Sequence, residues 1–391
     1  MNTNILNTEV QKFINSNLKS DITKLVLKGS PFTSISIQEL VEQIVSKSKC
    51  EKKLQTWFST ENIYYPNKLN IEQTSSEITA NYKANLVSGD SIIDVTGGYG
   101  IDSCYFSKKV KNVTHCELNE KLSQLVAHNL KQLNIENIET FVGDGINYIV
   151  KSKKKYDWIY ADPSRRNDLK GKVFLLNDCT PNIPKHLDEL FKNTENILLK
   201  VSPILDIKSA ISELKFVKEI HVISIENEVK ELLFILEKKY NSEIFIKTSN
   251  LLKSKNQYFN FKLNEQVSTS FSKPKKYLFE PNSAILKAGA FKQISSQLKI
   301  DKLHQHSHLY TSDVIMNFPG RHFIIENTIS YDKKLLKKLI PSKKANITIR
   351  NFPETVVQIR KKTGLKDGGN NYLFFTTDID DKHIVLICKK V

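Results

Sequence analysis

At 391 residues, with 40% hydrophobic and 26% charged side chains, the chain is too long for one ordinary core, so two to three domains are expected. There is no run of about 18 apolar residues and no charged-then-apolar leader, which argues against a membrane span and a secretory signal. Its five cysteines (Cys50, Cys104, Cys116, Cys179 and Cys388) are scattered with no CxxC pair, a pattern of reduced thiols in the cytoplasm without a structural metal.

In chain order, residues 1–80 read as helical. Ser36 to Glu39 has the capping-box form, and Ile37, Leu40, Val41, Ile44 and Val45 follow at helical spacing. Residues 91–100, SIIDVTGGYG, then form a short apolar run, an acid and three glycines in four positions: Gly97, Gly98 and Gly100. A buried strand ending in such a turn lets backbone approach a ligand, because glycine lacks a Cβ and tolerates positive φ. At the carboxyl end of a first parallel strand, such a turn builds a nucleotide or nucleoside site. The spacing is not GxGxxG, so the turn points to an adenosine-bearing cofactor other than a dinucleotide.

Residues 110–116 read as a second strand closed by Glu117, whose carboxylate can hold a ribose diol. Asn119 is placed to cap a helix that carries Leu122, Leu125, Val126, Leu130 and Leu133 on one face. A third strand runs into Asp144, well placed for an adenine amino group, and a fourth ends in Asp162-Pro163. Residues 195–203 read as strand five. Residues 219–238 read as two strands joined by a tight turn near Asn227.

These landmarks resemble the class I S-adenosylmethionine-dependent methyltransferases. Asp94 with the glycines matches their first motif, Glu117 the ribose-binding acid, Asp144 the adenine-side acid and Asp162-Pro163 the catalytic fourth motif. The resemblance implies an α/β, Rossmann-like parallel sheet with a terminal antiparallel hairpin. It also implies S-adenosyl-L-methionine as cofactor, held by Asp94, Thr96, Gly97, Gly98, Gly100, Glu117 and Asp144. In that class the segment before the first motif often folds over the cofactor. Gln73, Thr74, Ser75 and Ser76 are therefore either cofactor-lip residues, Ser75 among them, or helix caps.

Beyond residue 240 the pattern becomes short strands and helices. Residues 277–294 read as a strand running into a helix, and residues 306–315 and 320–329 as strands. The last block reads as strand, helix, strand, strand, with Val356, Val357 and Ile359 marking the helix and Gly368-Gly369 a turn. DVTGGYG, DPSRR, VFLLNDCTP, EPNSAILKAG and ITIRNFP together resemble a narrower family of bacterial methyltransferases with a ferredoxin-like domain and a C-terminal THUMP-like domain. The expected domains are a helical 1–80, a catalytic 81–240, a ferredoxin-like 241–330 and a THUMP-like 331–391, the last two being α+β modules.

Charge suggests the substrate. Residues 241–391 hold 26 Lys and Arg against 12 Asp and Glu, so most of the net +16 lies there. A basic appendage on a methyltransferase suits a polyanion, and THUMP domains proper bind RNA, so the expected partner is tRNA or rRNA. A lysine-rich composition that only keeps the protein in solution is the competing reading. The rival activities are methylation of DNA, protein or a small molecule, and non-catalytic RNA binding. Of 58 basic residues only five are Arg, and Arg165 and Arg166 directly follow Asp162-Pro163-Ser164, as if a planar fork were needed there.

In amino-methylating relatives the fourth motif continues with proline and an aromatic, where this chain has Ser164 and Arg165. The exocyclic-amine assignment is therefore open. DPxR also occurs in uridine C5-methyltransferases, whose cysteine nucleophile follows strand five. Val201-Ser202-Pro203 stands there instead, and Cys179 reads as a packed thiol, so a covalent route is disfavoured. The expected catalytic set is Asp162, Pro163 and Asp178 at the acceptor, with Arg165 or Arg166 gripping a phosphate or orienting a carboxylate. His304, His306 and His308 would share a face on a strand, yet no acid or cysteine frames them for a metal. A solvated turn or a phosphate-contacting patch is the expectation.

Overall fold

The computed structural model describes residues 1–165 and 175–391. By its internal contacts the chain divides into two units, Met1–Lys218 with Leu233–Asn241, and Glu219–Leu232 with Ser242–Val391. None of the described helices is long and apolar enough to cross a membrane.

The first unit opens with helices. Ser36 caps Ile37–Lys53 in the expected box, its hydroxyl accepting from the Glu39 amide while Glu39 accepts from the Ser36 amide. The apolar stripe of this helix, Leu40 and Ile44, closes a core with Ile5, Val10, Ile14, Leu25 and Ile35. Each such side chain withdrawn from water contributes about 1.5–3 kcal/mol.

Next come β1 (Ser91–Asp94), β2 (Asn112–Glu117), β3 (Ile138–Val142), β4 (Trp158–Ala161) and β5 (Asn196–Val201). They pair in parallel in the order β3-β2-β1-β4-β5. β1 is central and buried on both faces, as its apolar run requires. β2 starts two residues later than its hydrophobic pattern suggests, because the Val110 amide still donates to the Phe106 carbonyl of the preceding helical turn.

The hairpin is β6 (Val217–Ile225) and β7 (Glu228–Glu237), with β7 next to β5. Its two turn residues, Glu226 and Asn227, both have positive φ (47° and 65°), the conformation that matches a tight turn to strand twist. The mixed α/β architecture expected from the sequence is thus present.

In the second unit, β6 pairs in parallel with β8 (Phe245–Leu251), and β8 antiparallel with β9 (Gln257–Lys262). A seven-stranded sheet follows. Its strands are β10 (Tyr277–Pro281), β11 (Asp301–Lys302), β12 (Tyr310–Ser312), β13 (Gly320–Ser330), β14 (Asn346–Arg350), β15 (Tyr372–Thr377) and β16 (His383–Lys390). Their order is β11-β12-β10-β13-β16-β15-β14. The helix Val356–Thr363 links the parallel pair β14 and β15, as read from the sequence. The histidines fall in a turn, as expected, and the strand read over residues 306–315 is shorter than its pattern suggests. His304, His306 and His308 lie in the turn between β11 and β12, where His308 has φ 53° and strand pairing begins only at Tyr310.

Candidate active site

β1 delivers Asp94, 1% exposed, to the middle of the sheet edge where the loops gather. The Thr96 amide and hydroxyl both donate to its Oδ1 (3.0 and 3.3 Å), and the Ser103 hydroxyl donates to Oδ2 (2.8 Å). The Thr96 oxygen in turn accepts from the Asp162 amide (2.7 Å). One threonine therefore joins the glycine turn after β1 to the acidic corner after β4. Neither motif is long enough to reveal that link by itself.

Burial pushes the Asp94 carboxyl up to about 7, and the charges of Asp102 and Asp162 add to the rise, against the hydrogen bonds. A carboxyl that keeps its proton longer in the fold than at its ordinary 3.8 stabilises the fold fully below pH 3.8. That contribution drains away as pH rises towards 7. Asp94→Asn, which still accepts from Thr96, should remove this slope. In urea titrations the wild type should lose on the order of 3 kcal/mol more than the variant between about pH 4 and pH 8. Parallel pH profiles for the two proteins would overturn the assignment.

The glycine turn is held by close approach. A Cβ on Gly97 would lie 2.3 Å from Nε2 of His115, whose buried imidazole is kept neutral by desolvation. Gly100 has φ 77° and opens the helix Ile101–Phe106 in the left-handed conformation. The Gly98 amide donates to Oε2 of Glu117 (2.8 Å), and the Asn119 amide to Oε1 (2.7 Å). Glu117 thus sits at the end of β2 against the turn. Asn119 caps the helix Glu120–Gln132 as expected. Asp144, exposed, caps the helix Gly145–Ser152 through Oδ1, which accepts from the Asn147 amide (2.9 Å).

Ser75 is 6% exposed, and its hydroxyl is committed inward: it donates to Oδ2 of Asp102 (2.8 Å) and accepts from Lys83 (3.1 Å). Its neighbour Ser76 caps the helix Glu77–Ala84. Lys83, 0% exposed, lies 3.2 Å from Oδ1 of Asp102, and the Tyr160 hydroxyl donates to Oδ2 (2.7 Å). Burial alone would raise the Asp102 carboxyl. The Lys83 ammonium foremost, then Lys200, Tyr160 and Ser75, outweigh that and hold it below its ordinary range. Ser75 therefore fastens the pre-motif segment to the helix after the glycines.

At the fourth strand, Pro163 is buried and Asp162 half-buried, with Asp162 ion-paired to Lys200 from β5. Sequence reasoning missed Lys200, although a lysine inside the apolar run NILLKV was a usable signal. Ser164 and Arg165 pair antiparallel with Thr180 and Cys179, so the NDCT segment returns to the Asp162 corner with Asp178 next to that pairing. Arg165 is placed by its backbone, and Arg166 lies outside the described residues. Cys179 is 1% exposed and its thiol donates to the Leu175 carbonyl (3.7 Å), the setting of a packed thiol.

A parallel sheet in this order, a glycine turn after β1, acids closing β2 and β4 and a final hairpin define the class I methyltransferase fold. Family comparisons agree. Residues 35–165 match the family Protein-L-isoaspartate(D-aspartate) O-methyltransferase, residues 277–319 a ferredoxin-like domain and residues 320–390 a THUMP domain-like family. The crystal structure of a proposed methyltransferase from Porphyromonas gingivalis W83 is 30% identical with TM-score 0.89, covering 100% of this chain and 98% of that one. The chain belongs to that family of bacterial methyltransferases with ferredoxin-like and THUMP-like domains. An rRNA methylase from Streptococcus thermophilus is 17% identical (TM-score 0.30, 41% of this chain and 94% of that one). The tRNA m1G37 methyltransferase of M. jannaschii is 18% identical (TM-score 0.30, 42% and 51%). No curated protein matches the chain.

Proposed function

We propose that the protein methylates RNA, tRNA or rRNA, using S-adenosylmethionine. The residues around the glycine turn suit that donor. The hydroxyls and amino group of an adenosine are hydrogen-bond donors, and Glu117 and Asp144 are acceptors at the ends of β2 and β3. The turn itself offers backbone and no side chain. When bound, the sulfonium supplies an electrophilic methyl group, which passes in line to an acceptor lone pair while the C–S electrons return to sulfur.

The protein's task is then alignment and exclusion of water. Asp162 accepts a proton-bearing group of the acceptor and orients its lone pair. Lys200, paired with that carboxylate, holds it in place. Pro163 shapes the floor, and Arg165, Arg166 and Asp178 are assigned to the acceptor side. Ser75, Lys83 and Asp102 hold the pre-motif segment in position.

The observation that carries this reading is the Thr96 hydroxyl, which gives to Asp94 and takes from the Asp162 amide. It makes the donor turn and the acceptor corner one mechanical piece, as methyl transfer requires. The RNA part is supported by the charge surplus of residues 241–391 and by the THUMP-like match. Mass-spectrometric profiling of tRNA and rRNA nucleosides from a deletion strain should show one methylated nucleoside missing. The purified protein should restore it in vitro with S-adenosylmethionine. An unchanged profile would remove RNA as the substrate.

A further inference from the structure

The second unit spends two of the chain's five arginines on one carboxylate. Glu280, 3% exposed at the end of β10, accepts from Nε (2.8 Å) and Nη2 of Arg321 on one oxygen, and from Nη2 of Arg350 (2.8 Å) on the other. One carboxylate needs one cation for neutrality, so a positive charge is left over. Both arginine side chains stay partly open, at 41% and 32% exposure, and Nε of Arg350 is buried without a partner.

The end of β11 adds to the surplus. Lys302, 3% exposed, donates to the Gln305 carbonyl (2.8 Å) and lies 3.5 Å from Nδ1 of His308, with no carboxylate paired to it among the described residues. Burial, then the charge of exposed Lys292, draws its ammonium down to about 8. His308 stacks on Phe291 with centroids 3.5 Å apart. Burial, followed by the charges of Lys302 and Arg350, pulls its imidazole down to about 4, so it stays neutral. Four cations against one buried carboxylate is an arrangement short of an anion. Glu280 meanwhile locks two planar forks side by side, which suits the tetrahedral oxygens of a phosphate.

We infer that Arg321 and Arg350, backed by Lys302 and Lys292, form a binding site for a backbone phosphate of the RNA substrate. The inference rests on the RNA reading and gives it an address. The site reads charge and shape, so it takes a phosphodiester whatever the sugar.

The test is fluorescence anisotropy with labelled U12 and dT12 at pH 7, between about 50 and about 300 mM KCl. Arg350→Lys keeps a cation for Glu280 but loses the fork; Lys302→Met and exposed Lys292→Ala each remove a charge. Each variant should bind both oligomers about 5- to 10-fold more weakly at the lowest salt, by the same factor for RNA and DNA. Lys338→Ala, on the exposed basic helix Lys333–Leu339, should change binding less than about twofold. Urea midpoints and S-adenosylhomocysteine calorimetry establish that each variant is folded. Wild-type affinity in all three variants, an equal loss in Lys338→Ala, or a loss for RNA alone would each overturn the site while leaving the RNA reading in place. Wild-type protein that binds neither oligomer in a salt-dependent way would remove both.

Discussion

Asp162→Ala should slow methyl transfer about 1,000-fold while leaving affinity for S-adenosylhomocysteine within about twofold. The separation follows from how the residue is held. Its backbone amide, which alanine retains, donates to Thr96 and keeps the corner against the glycine turn. Its side chain, which alanine loses, is the group paired with Lys200. On the proposed reading, cofactor affinity depends on the first and orientation of the acceptor on the second. Lys200 also feels the Asp102 charge, so removing Asp162 does not leave its ammonium wholly uncompensated. Asp162→Asn keeps an acceptor oxygen and should lose only about 10- to 100-fold. Single-turnover rates at saturating donor would decide, and a wild-type rate for Asp162→Ala would end the catalytic assignment.

Glu117→Ala should show the reverse pattern. Two charge-assisted hydrogen bonds to a ribose diol contribute about 2–3 kcal/mol net, so the dissociation constant should rise about 30- to 150-fold. The rate at saturating donor should change little. The same carboxylate accepts from the Gly98 and Asn119 amides, so the alanine variant also loosens the turn. Glu117→Gln, which retains one oxygen for a backbone amide, separates the two effects. It should lose less stability in urea than the alanine variant and still bind donor about 10-fold more weakly. Isothermal titration with S-adenosylhomocysteine measures both variants. Unchanged affinity in each would mean that the acid at the end of β2 does not touch the donor.

Much of the fold was legible because its signals are short-range. The Ser36 box, the Asn119 cap and the two-residue turn at Glu226 and Asn227 are set by residues within four positions of each other. Strand ends were less sharp, as at Val110, because a helical turn and a strand compete for the same amide. The strand read from His306 begins late for a related reason: His308 takes a left-handed conformation and stacks on Phe291, which local pattern does not encode.

The amino-acid sequence by itself determined the parallel sheet, the glycine turn, and the order of acids at the strand ends, since each follows from local pattern and from glycine's missing Cβ. Only the tertiary structure decided which charges meet. Lys200 reaches Asp162 from 38 residues away, Ser75 reaches Asp102 from 27, and Arg350 reaches Glu280 from 70. An ion pair's strength depends on distance and burial in space, and neither quantity is written in the spacing along the chain.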